Sequence, residues 1–73
     1  MLIKYYIKNI IKIEDVTKKY ENGIRLVEPN YKVDEPRLQV TLKINSYGTT
    51  NIIKKIWKQS EFELYKEQGY FEE

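Results

Sequence analysis

Three carboxylate pairs are the side chains best suited to acid–base work: Glu14/Asp15, Asp34/Glu35 and Glu61/Glu63. A carboxyl group becomes a useful acid or base when burial or a neighbouring like charge raises its pKa towards neutrality. Each pair lies in an expected turn or at an expected helix start, where acidic residues occur without any catalytic role. The chain has no His and no Cys. Ser–His–Asp and Cys–His nucleophilic chemistry, disulfides and the usual zinc, haem and iron–sulfur ligand sets are therefore excluded. Gly48-Thr-Thr-Asn51, followed by Lys54 and Lys55, could offer backbone N–H groups and cations to a phosphate. It lacks the spacing of a P-loop or a dinucleotide fingerprint, and a turn plus helix cap accounts for it. No catalytic, cofactor-binding or metal-binding residue is assigned. The chain is expected not to be an enzyme and to take no small-molecule substrate.

Charge is distributed unevenly. Residues 1–60 carry a balance of +6 and residues 61–73 a balance of −4, within a net charge of +2. Between Pro36 and Ser60 there are five bases and no acid. Arg37, Lys43, Lys54, Lys55 and Lys58, interleaved with Trp57, are the candidates for gripping a phosphate backbone and stacking a base. Against this, only two arginines are present and the pI of about 8.8 is mild for a dedicated nucleic-acid domain.

Tyrosine is over-used, with seven in 73 residues. Tyr is large, fairly rigid and carries one polar handle, which suits protein–protein contacts. Tyr6, Ile10, Val27, Tyr31, Tyr47, Tyr70 and Phe71 fall on the wet sides of strands, in loops or in the tail. They are the candidate protein-interface residues.

Several elements must position these groups. Leu2 to Asp15 fits both a period of two and a period of 3.6. Its Ile and Tyr content, and the like charges Lys4, Lys8 and Lys12 that a helix would stack, favour a strand bent near Asn9. Asn22-Gly23, after alternating Val16, Lys18 and Tyr20, predicts a type I′ hairpin. Asn30 to Glu35, between two prolines, reads as a loop or short edge piece. Arg37 to Asn45 alternates strictly, with Leu38, Val40, Leu42 and Ile44 on the buried side. Ser46 to Thr50 is a turn. Ile52, Ile53, Ile56 and Trp57 form a helical stripe, Ser60 with Glu63 has capping-box spacing, and Phe62 and Tyr65 share one side of a second helical segment ending at Gly69.

The expected architecture is α+β. One domain over 1–73 is mainly β over 1–45, mainly α over 50–68, and ends in an acidic tail at 69–73. A small antiparallel sheet of three to four strands carries one broken or two short C-terminal helices. Lys4, Lys8 and Lys12 interrupt the N-terminal apolar stretch, so neither a signal-peptide core nor a membrane span forms there, and a cytoplasmic location is expected. The abundance of Lys, Ile, Asn and Tyr without Ala suits an AT-rich genome, and phage or mobile-element origin fits the size. The leading functional expectation is a non-catalytic protein-interaction module, a small regulator or inhibitor that self-associates as a homodimer or docks on a larger protein. The alternative is a nucleic-acid-binding protein using the basic face around Lys43, Lys54, Lys55 and Lys58.

Overall fold

The computed structural model describes residues 2–73. Six elements follow in order: β1 (Lys4–Asp15), α1 (Thr17–Arg25), β2 (Arg37–Ser46), β3 (Thr49–Lys58), α2 (Gln59–Gln68) and β4 (Tyr70–Glu72). The four strands form one curled antiparallel sheet in the order β3-β2-β1-β4, giving the α+β class expected. Because β3 and β4 lie at opposite edges, α2 must cross the sheet to join them. It closes one face and leaves the other largely bare.

The closed face follows the alternation of β2. Val40, Leu42 and Ile44 are buried, joined by Trp57, Phe62 and Phe71. Trp57 is the hub: its ring lies 4.9 Å from both Tyr65 and Phe71 and 6.5 Å from Phe62, while Tyr5 stacks on Phe71 at 5.2 Å. Aromatic pairs at such distances contribute about 0.5–1.5 kcal/mol each beyond their burial. On the closed face Lys55 forms an ion pair with Glu73 and lies 5.9 Å from the Phe71 ring.

Several expectations are corrected. Asn22-Gly23 lies inside α1 instead of turning a hairpin. Val16, Tyr20 and Ile24 recur every four residues and turn one side of the helix inward, and Glu21 pairs with Arg25 at 3.0 Å. Asp15 accepts the Thr17 N–H at 2.9 Å, tethering the helix start. The positive-φ hairpin occurs instead at Tyr47-Gly48, with φ of 52° and 78°, the signs a type I′ turn demands.

Residues 49–58 are strand, not helix. A stripe with a spacing of four suits either element, and the hairpin brings this Ile- and Thr-rich segment beside β2, where every residue from Thr49 to Lys58 finds a register partner. One helix, not two, therefore follows the sheet, and the other helix lies between β1 and β2. The Ser60–Glu63 capping box does not form. The Ser60 N–H and Oγ instead donate to Glu35 at 3.0 and 2.7 Å, and Glu61 accepts the Lys58 N–H at 3.0 Å.

The acidic tail is strand β4, paired with Lys4, Tyr5 and Tyr6. Ile10 packs against the core, because register shifts between Ile7 and Asn9 and between Ile10 and Lys12 reset the alternation. These irregularities are the bend expected near Asn9, and they turn Ile11 outward at 50% exposure. Gly69 ends α2 in the left-handed region at φ 84°, as expected. Among the described residues no helix is long and apolar enough to cross a membrane.

Candidate binding surface on the open sheet face

The register assembles the open face row by row. Tyr70, Tyr6, Asn45 and Thr50 form one row; Asn9, Lys43 and Ile52 the next. Lys12, Thr41 and Lys54 follow, then Glu14, Gln39 and Ile56. With strands about 4.8 Å apart, Lys12 and Lys54 stand about 10 Å from each other, with Lys43 one row away. Lys12 bridges Glu14 at 2.9 Å. Glu14 is held below the usual carboxylate range, first by that hydrogen bond and the Lys12 charge, then by the charges of Lys54 and Lys19. Lys19, Lys43 and Lys54 have no ion-pair partner among the described residues.

At the upper end of the face Tyr6 and Tyr70 lie 6.0 Å apart, and the Lys4 ammonium sits 4.8 Å from the Tyr70 ring. At the lower end α1 leans over the sheet. Val16, Lys19, Tyr20, Gly23 and Ile24 face Gln39 and Ile56 across a groove of about 320 Å³. Arg37 fixes this end. Its guanidinium lies 5.0 Å from the Tyr20 ring and donates to the Glu35 carbonyl at 2.9 Å and to Asp34 at 3.1 Å. Glu21 accepts the Val33 N–H at 2.9 Å, and Arg25 donates to the Tyr31 carbonyl at 2.9 Å, so the loop after α1 is tied to the helix.

The β3 edge completes the surface. This strand pairs only with β2, through ten residues without a register shift or a proline. A two-residue hairpin closes on a hydrogen-bonded pair, here Ser46 and Thr49, and alternation from that pair points the backbone groups of Thr50, Ile52, Lys54 and Ile56 away from β2. Ile52 and Ile56 are 65% and 51% exposed on the open face. Beyond its pairing with β4, the outer edge of β1 is also free, but the register irregularities of that strand make it a poor template.

The candidate residues separate. Lys43 and Lys54 share the open face, and Tyr6 and Tyr70 share its upper row. Arg37 and Trp57 are buried, Lys55 is committed to Glu73, and Lys58 lies 3.8 Å from Asp34. Phe71 is a core residue. Tyr31 is half-buried, while Val27 and Tyr47 stand exposed in a loop and at the hairpin tip, away from any common patch. Lys12, Lys19, Ile52 and Ile56 were not among the expected site residues, because only the cross-strand register and the α1 helix bring them together. Five of the six carboxylates considered for catalysis are engaged, Glu14 with Lys12, Asp15 with Thr17, Asp34 with Arg37, Glu35 with Ser60 and Glu61 with the Lys58 N–H, and the sixth, Glu63, is exposed on α2. Asp15, Asp34 and Glu35 are held below their ordinary range chiefly by those hydrogen bonds. Among the described residues no acidic cluster could hold a metal ion.

No protein-family model, curated protein or solved structure matches the chain.

Proposed function

We propose that this chain is a non-catalytic protein-interaction module of the small regulator or inhibitor type. It acts in the cytoplasm and docks on a larger protein through the open sheet face and the edge of β3. The observation that carries this reading is the unshifted, ten-residue β3 edge with Ile52 and Ile56 exposed beside it. A long free edge with apolar neighbours is a template for another chain; no bulge or proline blocks this one, and its lysines guard it against indiscriminate pairing while leaving it open to a strand of complementary charge. Docking on another protein is favoured over homodimerisation through this edge. β3 carries Lys54, Lys55 and Lys58 and no acid, so two-fold pairing of two copies would gather like charges. The engagement of the carboxylates supports the non-catalytic part of the reading.

The test is capture from cells of the source or its host, followed by reconstitution with the purified partner. The expected result is a protein that binds wild type and Leu64→Ser but not Ile52→Ser or Ile56→Ser. Equal binding by all four chains refutes the open-face assignment.

One arrangement favours a second reading. Lys12, Lys43 and Lys54 form a cationic triangle on the same face as the Tyr6–Tyr70 pair, which suits a single-stranded nucleic acid. Titration with single-stranded DNA and RNA at two salt concentrations separates the readings. Steeply salt-dependent binding that Lys43→Glu abolishes would favour the nucleic acid.

A further inference from the structure

We infer that β3 takes up an extended acidic segment of the partner protein as a fifth strand, with one apolar side chain of that segment seated in the groove between α1 and Ile56. The inference rests on the protein-binding reading and specifies its chemistry. The outward backbone groups of Thr50, Ile52, Lys54 and Ile56 supply a regular ladder. Side chains on alternate residues of an added strand stand on the open face, next to those same four residues. The one beside Ile56 meets the groove, whose apolar walls are Tyr20 and Ile24. Lys19, Lys43 and Lys54, which have no ion-pair partner among the described residues, surround the path, and the nearby acid Glu14 is already bridged to Lys12. Charge complementarity therefore selects an acidic segment, and the ladder selects an extended one. A nucleic acid could satisfy the lysines but neither the ladder nor the groove.

The probe is a fluorescent peptide as long as β3 that places Glu at the open-face positions beside Thr50, Ile52 and Lys54, Val at the one beside Ile56, and Thr at the positions between. It is compared with the same peptide N-methylated on alternate residues, with a Lys-for-Glu version, and with an oligothymidylate of equal length. Anisotropy is read with wild type, Ile56→Ser and Lys54→Pro, after thermal melts establish that each variant folds. Lys54→Pro removes an outward N–H, because Lys54 faces Thr41 at a pair that exchanges no ladder bonds. The expected result is saturable binding of the Glu/Val peptide, weakened at least about tenfold by N-methylation, by the charge change and by either substitution, a loss of about 1.4 kcal/mol each. Amide exchange should slow at Thr50, Ile52, Lys54 and Ile56 in the complex. The N-methylated peptides keep the test decisive even if a variant misfolds. Equal binding of methylated and unmethylated peptide overturns the inference, as does binding of the oligothymidylate alone. A dimer in the free protein with the same four amides already protected also overturns it, since a second copy would then occupy the edge. If no peptide binds while Ile52→Ser still loses the captured partner, strand addition falls and the protein-binding reading survives. If both fail, both fall.

Discussion

The two faces of the sheet are made by the same strands and obey different constraints. On β2, Val40, Leu42 and Ile44 are buried at 0–3% exposure, while Lys43, between them in sequence, is exposed on the opposite face. The closed face is packed around Trp57 and covered by α2, with Ile13 left half exposed at its margin. The open face has one short helix leaning on its lower end, a cationic triangle in its middle and a bare edge beside it. Stability is concentrated on the first face, and the second carries groups that the fold leaves without partners.

The sharpest way to break this comparison is to truncate the hub. Trp57→Ala and Phe71→Ala should each cost about 3–5 kcal/mol. A core in a chain this short supplies only about 3–5 kcal/mol, so these variants should be largely unfolded. On the open face Ile52→Thr and Lys54→Ala should stay within about 0.5 kcal/mol of wild type. Urea denaturation followed by circular dichroism measures all four. An open-face cost as large as the closed-face cost would show that the two faces are not divided in this way.

Arg37 tests the join between the faces. It is buried where α1, the following loop and β2 meet. Arg37→Ala should cost about 1–3 kcal/mol, since the Glu35 carbonyl and Asp34 each lose a donor. Arg37→Lys should recover little, because an ammonium cannot reproduce the forked donation or the planar stack on Tyr20. Peptide binding at the α1 groove should weaken in both variants more than β3 edge binding does, read by amide shifts in Tyr20–Ile24 against those in Thr50–Ile56.

What could be read from the chain follows the same division. The alternation of β2, the bend near Asn9, the Gly69 stop and the shared side of Phe62 and Tyr65 are local signals, and all are present in the fold. Asn22-Gly23 misled because both residues also tolerate a helix once Tyr20 and Ile24 have a sheet to face. Ile52, Ile53, Ile56 and Trp57 misled because their spacing suits both elements, and only pairing with β2 decides between them. β4 is three residues long and exists through its partner β1, so nothing local announces it. Of the surface, Lys43, Lys54 and Tyr6 were legible as exposed groups, and Tyr70 beside Tyr6 is half-buried. Their assembly with Lys12 depends on a register between residues distant in sequence, and the phase change that buries Ile10 depends on two β1 irregularities.

Gly23 gives a smaller effect whose sign decides between the two local readings. It lies within α1, and a Cβ added there meets nothing within 4 Å. Gly23→Ala should therefore stabilise by about 0.4–1 kcal/mol. In a type I′ hairpin the same substitution would destabilise, because φ would be positive. Gly69→Ala should destabilise by about 1–2 kcal/mol, since its φ of 84° is real and only glycine adopts it freely. Opposite signs at two open-space glycines, measured in one set of thermal melts, would place the backbone requirement at the end of α2 and remove it from α1.

The smallest effect expected is the response to acid. Asp34 is held below its ordinary 3.8 first by the Arg37 hydrogen bond, and Glu35 below its ordinary 4.5 first by the Ser60 hydroxyl. Groups whose folded pKa is depressed favour the folded state above their ordinary value and lose that contribution as pH falls through the folded one. Stability should thus be flat from neutral pH down to about 4.5 and decline below it. Glu14 on the open face is depressed in the same direction by Lys12, but its bridge joins neighbours on a single strand. Glu35 joins the loop before β2 to the start of α2, the element that seals the closed face. Glu35→Gln should consequently flatten the acid limb of a melting-temperature profile more than Glu14→Gln does. Equal flattening by the two substitutions would mean that acid acts on local pairs alone, and that the seal of the closed face does not depend on its tie to the loop.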